Sequence, residues 1–116
     1  MEHGINAMMS SLKELGAAPV LRHGLLIYTV TPTYGARAGQ LVESGVAEAE
    51  ARLWPATPPH WVHLPGDVRI PGSNTQASSH PGWLGHSRDI KGWAQEVNHA
   101  MAWLSHVRSV LSGATS

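Results

Sequence analysis

The chain reads as a single α+β domain, a four-stranded antiparallel meander flanked by an N-terminal and a C-terminal helix. Three observations predict this class. Ile5, Met8, Met9, Leu12 and Leu15 recur at helical spacing and build one apolar stripe. From Val46 to Leu53 the period changes to two, as in a half-buried strand. A second helical stripe runs from Met101 to Leu111. At 116 residues and 42% hydrophobic content, one core can be filled, so the domain spans 1–116 with 113–116 frayed.

The first helix covers Ile5 to Leu15, with Gly16 and Pro19 as stop signals. Leu25 to Thr31 is rich in β-branched and aromatic residues and forms the first strand, ended by Pro32. Thr33 to Gly39 is a loop, and Gln40 to Ser44 a short second strand. Val46 to Leu53 has helical propensity but alternating pattern. Gly45 before it and Pro55 after it favour a third strand. Trp61 to Leu64 is the fourth. Gly66 to Gly92 holds many turn formers and no clear period, so it reads as a long loop of the functional kind. The last helix starts at Asn98, a good N-cap, and ends near Gly113. Its stripe is Met101, Leu104, Val107, Val110 and Leu111, with His106 more outward.

Charged residues make up 14% of the chain and the formal net charge is zero, which argues against nucleic-acid binding. No apolar run reaches membrane-spanning length, so no membrane partner is expected. Glu2 and the polar Ser10, Ser11 and Lys13 break any secretory signal. With no cysteine either, the expectation is a cytoplasmic protein without disulfides or Cys-based metal sites. His60 and His63, three apart on a strand, face opposite sides, and nothing fixes four ligands, so neither a metal nor a cofactor is expected. Five Trp stand beside no Phe. Trp61, Trp93 and Trp103 read as core, whereas Trp83, between Gly82 and Leu84 in the loop, reads as partner-facing.

Trp54 to Leu111 carries an ordered set of parts. A Trp54-Pro55…Pro58-Pro59 turn leads into His60 to Leu64, then His80-Pro81-Gly82, His86-Ser87-Arg88-Asp89, Trp93 and the last helix. This order resembles the ubiquitin-conjugating (UBC-like) superfamily, with its Tyr-Pro-x-x-Pro-Pro turn, strand, His-Pro-Asn loop, catalytic cysteine, Trp and helix. Trp83 through Ser87-Arg88, Trp93 and Leu104 is similar to the tail of short bacterial conjugating-like proteins from ubiquitin-like modification operons. Two departures stand out: Gly82 replaces the Asn of the His-Pro-Asn loop, and no cysteine is present. The nucleophile of such a loop lies about ten residues after the His or about eight before the Trp, counts that reach Ile90 and Gly85 here. His86 to Asp89 fall in that window.

The resemblance implies a ubiquitin-like protein and a ThiF-like activating enzyme as partners, and an acyl group passed by an ester or a non-covalent route. Ser87 is the candidate nucleophile, with His86 as base and Asp89 as orienter. Equally, Ser87 and Asp89 can make local turn hydrogen bonds and Arg88–Asp89 a solvated pair. His80, Trp83 and Arg88 would contact the ubiquitin-like partner. Lys13 and Glu14, on the outer side of the first helix, would contact the activating enzyme. Two further readings compete. One is a non-catalytic binding module or adaptor that has kept this fold. The other is a small serine-dependent hydrolase.

Overall fold

The computed structural model describes residues 3–116; Met1 and Glu2, which enter the signal-peptide argument, lie outside the described residues. Helix α1 spans Ile5–Glu14 and α2 spans His99–Leu111. Between them lie strands β1 (Val20–Arg22), β2 (Leu25–Val30), β3 (Val42–Ala47), β4 (Trp61–Pro65), β5 (Asn74–Ala77) and β6 (Trp83–Ser87). They form one antiparallel sheet in the order β1-β2-β3-β4-β6-β5. The α+β class holds, but the sheet has six strands rather than four. Its first four strands are sequential neighbours, and a hairpin is added beyond β4.

The differences have local causes. β1 is absent from the sequence reading because three residues are too few to show a period. It pairs with β2 through a two-residue turn, His23–Gly24, where both residues have positive φ (51° and 80°). That turn twists as the strands do. The predicted second and third strands are one strand, β3, which stops at Ala47. Glu48–Ala51 is a 3₁₀ turn, not a strand. Here the helical preference of Ala-Glu-Ala-Glu prevails, because alternating alanines offer little apolar area to hold a strand down. Glu50 also gains partners this way: its Oε1 accepts the Trp61 N–H at 2.8 Å. The expected long loop contains β5 and β6. β5 is polar and fully exposed, so it carries no hydrophobic period to detect.

α2 begins as expected, with the Asn98 side chain accepting the Met101 N–H at 3.0 Å. Its buried face is Ala100, Trp103, Leu104, Val107, Val110 and Leu111, while Met101 is 56% exposed. His106 is half-buried against Trp103, ring centroids 5.5 Å apart, rather than outward. The C-terminus is docked, not frayed. Ala36 N donates to Ala114 O at 3.0 Å and Thr115 N donates to Arg69 O at 2.8 Å. Among the described residues no helix is long and apolar enough to cross a membrane.

Alternation gives the sheet two faces. Leu26, Tyr28, Val30, Val42, Val46, Val62 and Leu64 face the core shared with Met8 and Leu12 of α1 and Trp103, Leu104 and Val107 of α2. The other face carries Leu25, Ile27, Gly45, Trp61, His63, Gly85 and Ser87, by register. A Cβ on Gly45 would sit 3.0 Å from Leu25 Cγ, and one on Gly85 3.3 Å from the Trp61 ring. Two missing side chains thus let Leu25 and Trp61 lie flat on the sheet.

A polar chain crosses the centre of the core. Trp103 Nε1 donates to the Tyr28 hydroxyl at 2.7 Å. The Ser44 hydroxyl lies 3.1 Å from the Tyr28 hydroxyl and 3.3 Å from the His63 carbonyl oxygen. With one proton per hydroxyl, every contact is made when Tyr28 donates to Ser44 and Ser44 to the carbonyl. Burial drives the Tyr28 phenol pKa upward, so it stays protonated and available as a donor. Tyr28→Phe leaves the buried Trp103 N–H without an acceptor and is expected to cost about 1–3 kcal/mol in urea unfolding, with the fold retained by circular dichroism.

Candidate functional site

A cleft that includes three of the sequence candidates lies where β6 ends. Thr57, Pro58, Pro59 and His60 form one wall and Ser87, Arg88, Asp89 and Ile90 the other, enclosing about 280 Å³. Each wall has a local cause. The prolines of the Trp54–Pro59 turn bring the chain into β4 without ladder N–H groups. The Trp54–Pro55 peptide is cis. Trp54 is buried and meets Trp93 edge to face at 5.5 Å, and Trp93 Nε1 donates to Pro55 O at 2.8 Å. The turn and the Trp, far apart in sequence, thus form one unit against the start of α2, where His99 packs on Trp93 at 4.7 Å. Gly4 N donates to Trp54 O at 2.9 Å and ties α1 to the same turn.

Ser87 Oγ lies 3.1 Å from Nε2 of His60. This pairing, a hydroxyl and an imidazole in hydrogen-bond reach, is the minimum for base-assisted attack on an acyl carbon. The partner is His60, not the sequence neighbour His86. On a strand, consecutive side chains point to opposite faces. Ser87 registers with Trp61 on the outer face, whereas His86 registers with Val62 on the core face. His86 is 1% exposed; its Nδ1 meets Ser73 Oγ at 2.9 Å, and its buried Nε2 has no partner among the described residues. Burial first, and repulsion from His63 second, hold its pKa below the usual histidine value. It is therefore a neutral core histidine, unable to reach Ser87. His60 was legible only through tertiary structure, because it stands 27 residues from Ser87 in the chain.

The other candidates are distributed. Asp89 is exposed in the cleft wall and does not orient His60. Arg88 reaches back to α2, where its guanidinium meets the Ser109 hydroxyl and the Ser109 carbonyl. His80 lies away from the cleft, in the β5–β6 loop, with Nε2 3.1 Å from His23 O in the β1–β2 turn. Trp83 begins β6 opposite Pro65 and is half-buried. Lys13 and Glu14 are exposed at the end of α1. So Ser87, Arg88 and Asp89 share one cleft, while His86, His80, Trp83, Lys13 and Glu14 do not join it. Among the described residues no three His, Asp or Glu side chains converge as metal ligands would.

Comparison of the chain with protein-family models, with curated proteins and with solved structures finds no match in any of the three.

Arg88 also shapes the protonation of its neighbour on α2. Burial, then repulsion from the Arg88 guanidinium, push the His106 pKa from 6.5 down to about 4. A depressed pKa means that the unfolded chain takes the proton first. Stability from neutral His106 is complete above pH 6.5 and is lost as pH falls from there through about 4. Melting temperature is therefore expected to fall between these values, and His106→Gln to flatten part of that acid limb in thermal melts. In Arg88→Ala the His106 ring should titrate at higher pH, read from its own proton resonances by NMR.

Proposed function

We propose that this chain is a UBC-like conjugating protein of a bacterial, cytoplasmic ubiquitin-like modification pathway, working without a cysteine. One observation carries the reading: Ser87 Oγ sits 3.1 Å from His60 Nε2 in an open cleft beside the proline turn. The order of parts supports it: a first helix, three sequential antiparallel strands, a Trp-Pro turn that meets a downstream Trp edge to face, a fourth strand followed by an added hairpin, and a final helix. Ser87 would accept the C-terminal acyl group of the ubiquitin-like protein, with its proton passing to His60. Arg88 and Asp89 would line the approach of that C-terminus. His80 and Trp83 would extend the contact along the hairpin, and Lys13 and Glu14 would present α1 to a ThiF-like activating enzyme. An oxyester reacts with amines more slowly than a thioester, so the second transfer would draw on His60 or on a partner's groups.

A second reading has its own support. Among the described residues no carboxylate meets the imidazole of His60, and Asp89 is exposed. A dyad without an orienter suits a domain that positions a partner's acyl group and makes no covalent bond itself.

The two readings separate in a reconstituted reaction with the co-encoded ubiquitin-like protein and activating enzyme. The conjugating reading expects an adduct that survives thiol reductant, breaks in hydroxylamine, and disappears in Ser87→Ala while binding persists. His60→Ala should slow its formation by roughly 10²–10⁴-fold. Binding with no adduct supports the positioning module. No association with either protein rejects both.

A further inference from the structure

A second serine, Ser78, has a fuller set of supporting groups than Ser87. It lies in the turn between β5 and β6, at the opposite end of the hairpin from the cleft. Its Oγ is 3.2 Å from Nδ1 of His63, and Nε2 of the same ring is 3.2 Å from Oε2 of Glu50. Three residues from the 3₁₀ turn, β4 and the β5–β6 turn thus converge in the order carboxylate, imidazole, hydroxyl. His63 is 6% exposed, so its hydrogen bonds are shielded from competing water. Glu50 is held in place by a second bond, since its Oε1 accepts the Trp61 N–H. The ring therefore has a fixed partner on each side.

One assignment of the protons fits a base role for the ring. Ser78 Oγ accepts the His80 N–H at 3.1 Å, which leaves its own proton for His63 Nδ1. Nδ1 accepts only in the tautomer with its proton on Nε2, and that proton faces Glu50. The carboxylate would then stabilise the imidazolium formed when Ser78 gives up its proton, as in a serine triad with the two ring nitrogens exchanged.

We propose that Glu50, His63 and Ser78 form a relay that makes Ser78 a nucleophile toward acyl esters. This site is independent of the Ser87 reading. Ser78 Oγ bonds to the acyl carbon, and its proton passes to His63 Nδ1. The ester C–O bond breaks and the leaving alcohol takes that proton. Water then attacks the Ser78 ester, again giving a proton to His63, and releases the carboxylic acid as Ser78 recovers its proton.

The test uses the full chain and a fluorophosphonate, which forms a P–O bond with an activated serine as fluoride leaves. Peptide mapping by mass spectrometry is expected to place the adduct on Ser78, and Ser78→Ala to remove it. His63→Gln should slow labelling by roughly 10²–10⁴-fold. Glu50→Gln keeps an acceptor for the Trp61 N–H but loses the charge, and should slow labelling at least tenfold with the circular dichroism spectrum retained. A merely structural Glu50 would leave the rate unchanged in that variant, and this outcome overturns the relay. So does a folded wild-type protein with no adduct on Ser78, whether or not Ser87 is labelled.

Discussion

The Tyr28 hydroxyl is the joint on which the structure turns. It lies at the middle of the core, with no solvent contact, and is reached by α2 through Trp103 and by β3 through Ser44. Apolar packing alone specifies position loosely, since many side-chain arrangements bury similar area. A buried donor that must find its acceptor removes most of those alternatives. Trp103 can satisfy its N–H only where α2 crosses β2 at Tyr28, so helix and sheet are registered to one another. The same chain ends on the His63 carbonyl, which fixes the β4 backbone from the core side.

That anchoring matters because the imidazole of His63 projects from the other face. The sheet divides its work by alternation: one face packs, and the other collects polar and aromatic groups on β4 and β6. Gly45 and Gly85 keep this second face low enough for Leu25 and Trp61 to lie across it. The division also explains why His86 and Ser87, adjacent in sequence, belong to different environments. Ser87 finds its histidine on the neighbouring strand's approach, and His86 is absorbed by the core.

Much of the frame was legible in the sequence. Both helices were marked by periodic apolar residues, and α2 by the Asn98 cap. β2 and β4 stood out through β-branched and aromatic runs, and the Trp-Pro turn and Trp93 stood out as separate parts of one motif order. The losses came where side-chain pattern carries no information. β1 and β5 are edge strands of three and four residues held by backbone pairing and turn geometry, too short to show a period. Glu48–Ala51 misled because alanine fits either period. The site was legible as far as Ser87, Arg88 and Asp89. His60, His63, Glu50 and Ser78 meet only through pairing of distant segments, which residue spacing does not encode.

The hairpin added beyond β4 also changes where the sheet can be approached by another backbone. Its outermost strand, Asn74–Ala77, leaves one row of main-chain donors and acceptors unpaired, and the far margin does the same at Val20–Arg22. These margins are unlike. The first is neutral and polar, only four residues long, and ends where the Ser78 turn begins. The second carries Val20 and Leu21 half open to solvent, with Arg22 as its charged stop. Backbone-to-backbone recruitment of an extended peptide thus gains little apolar burial along Asn74–Ala77 and is more adhesive along Val20–Arg22, where the brevity of the strand and one cation are the guards against uncontrolled stacking.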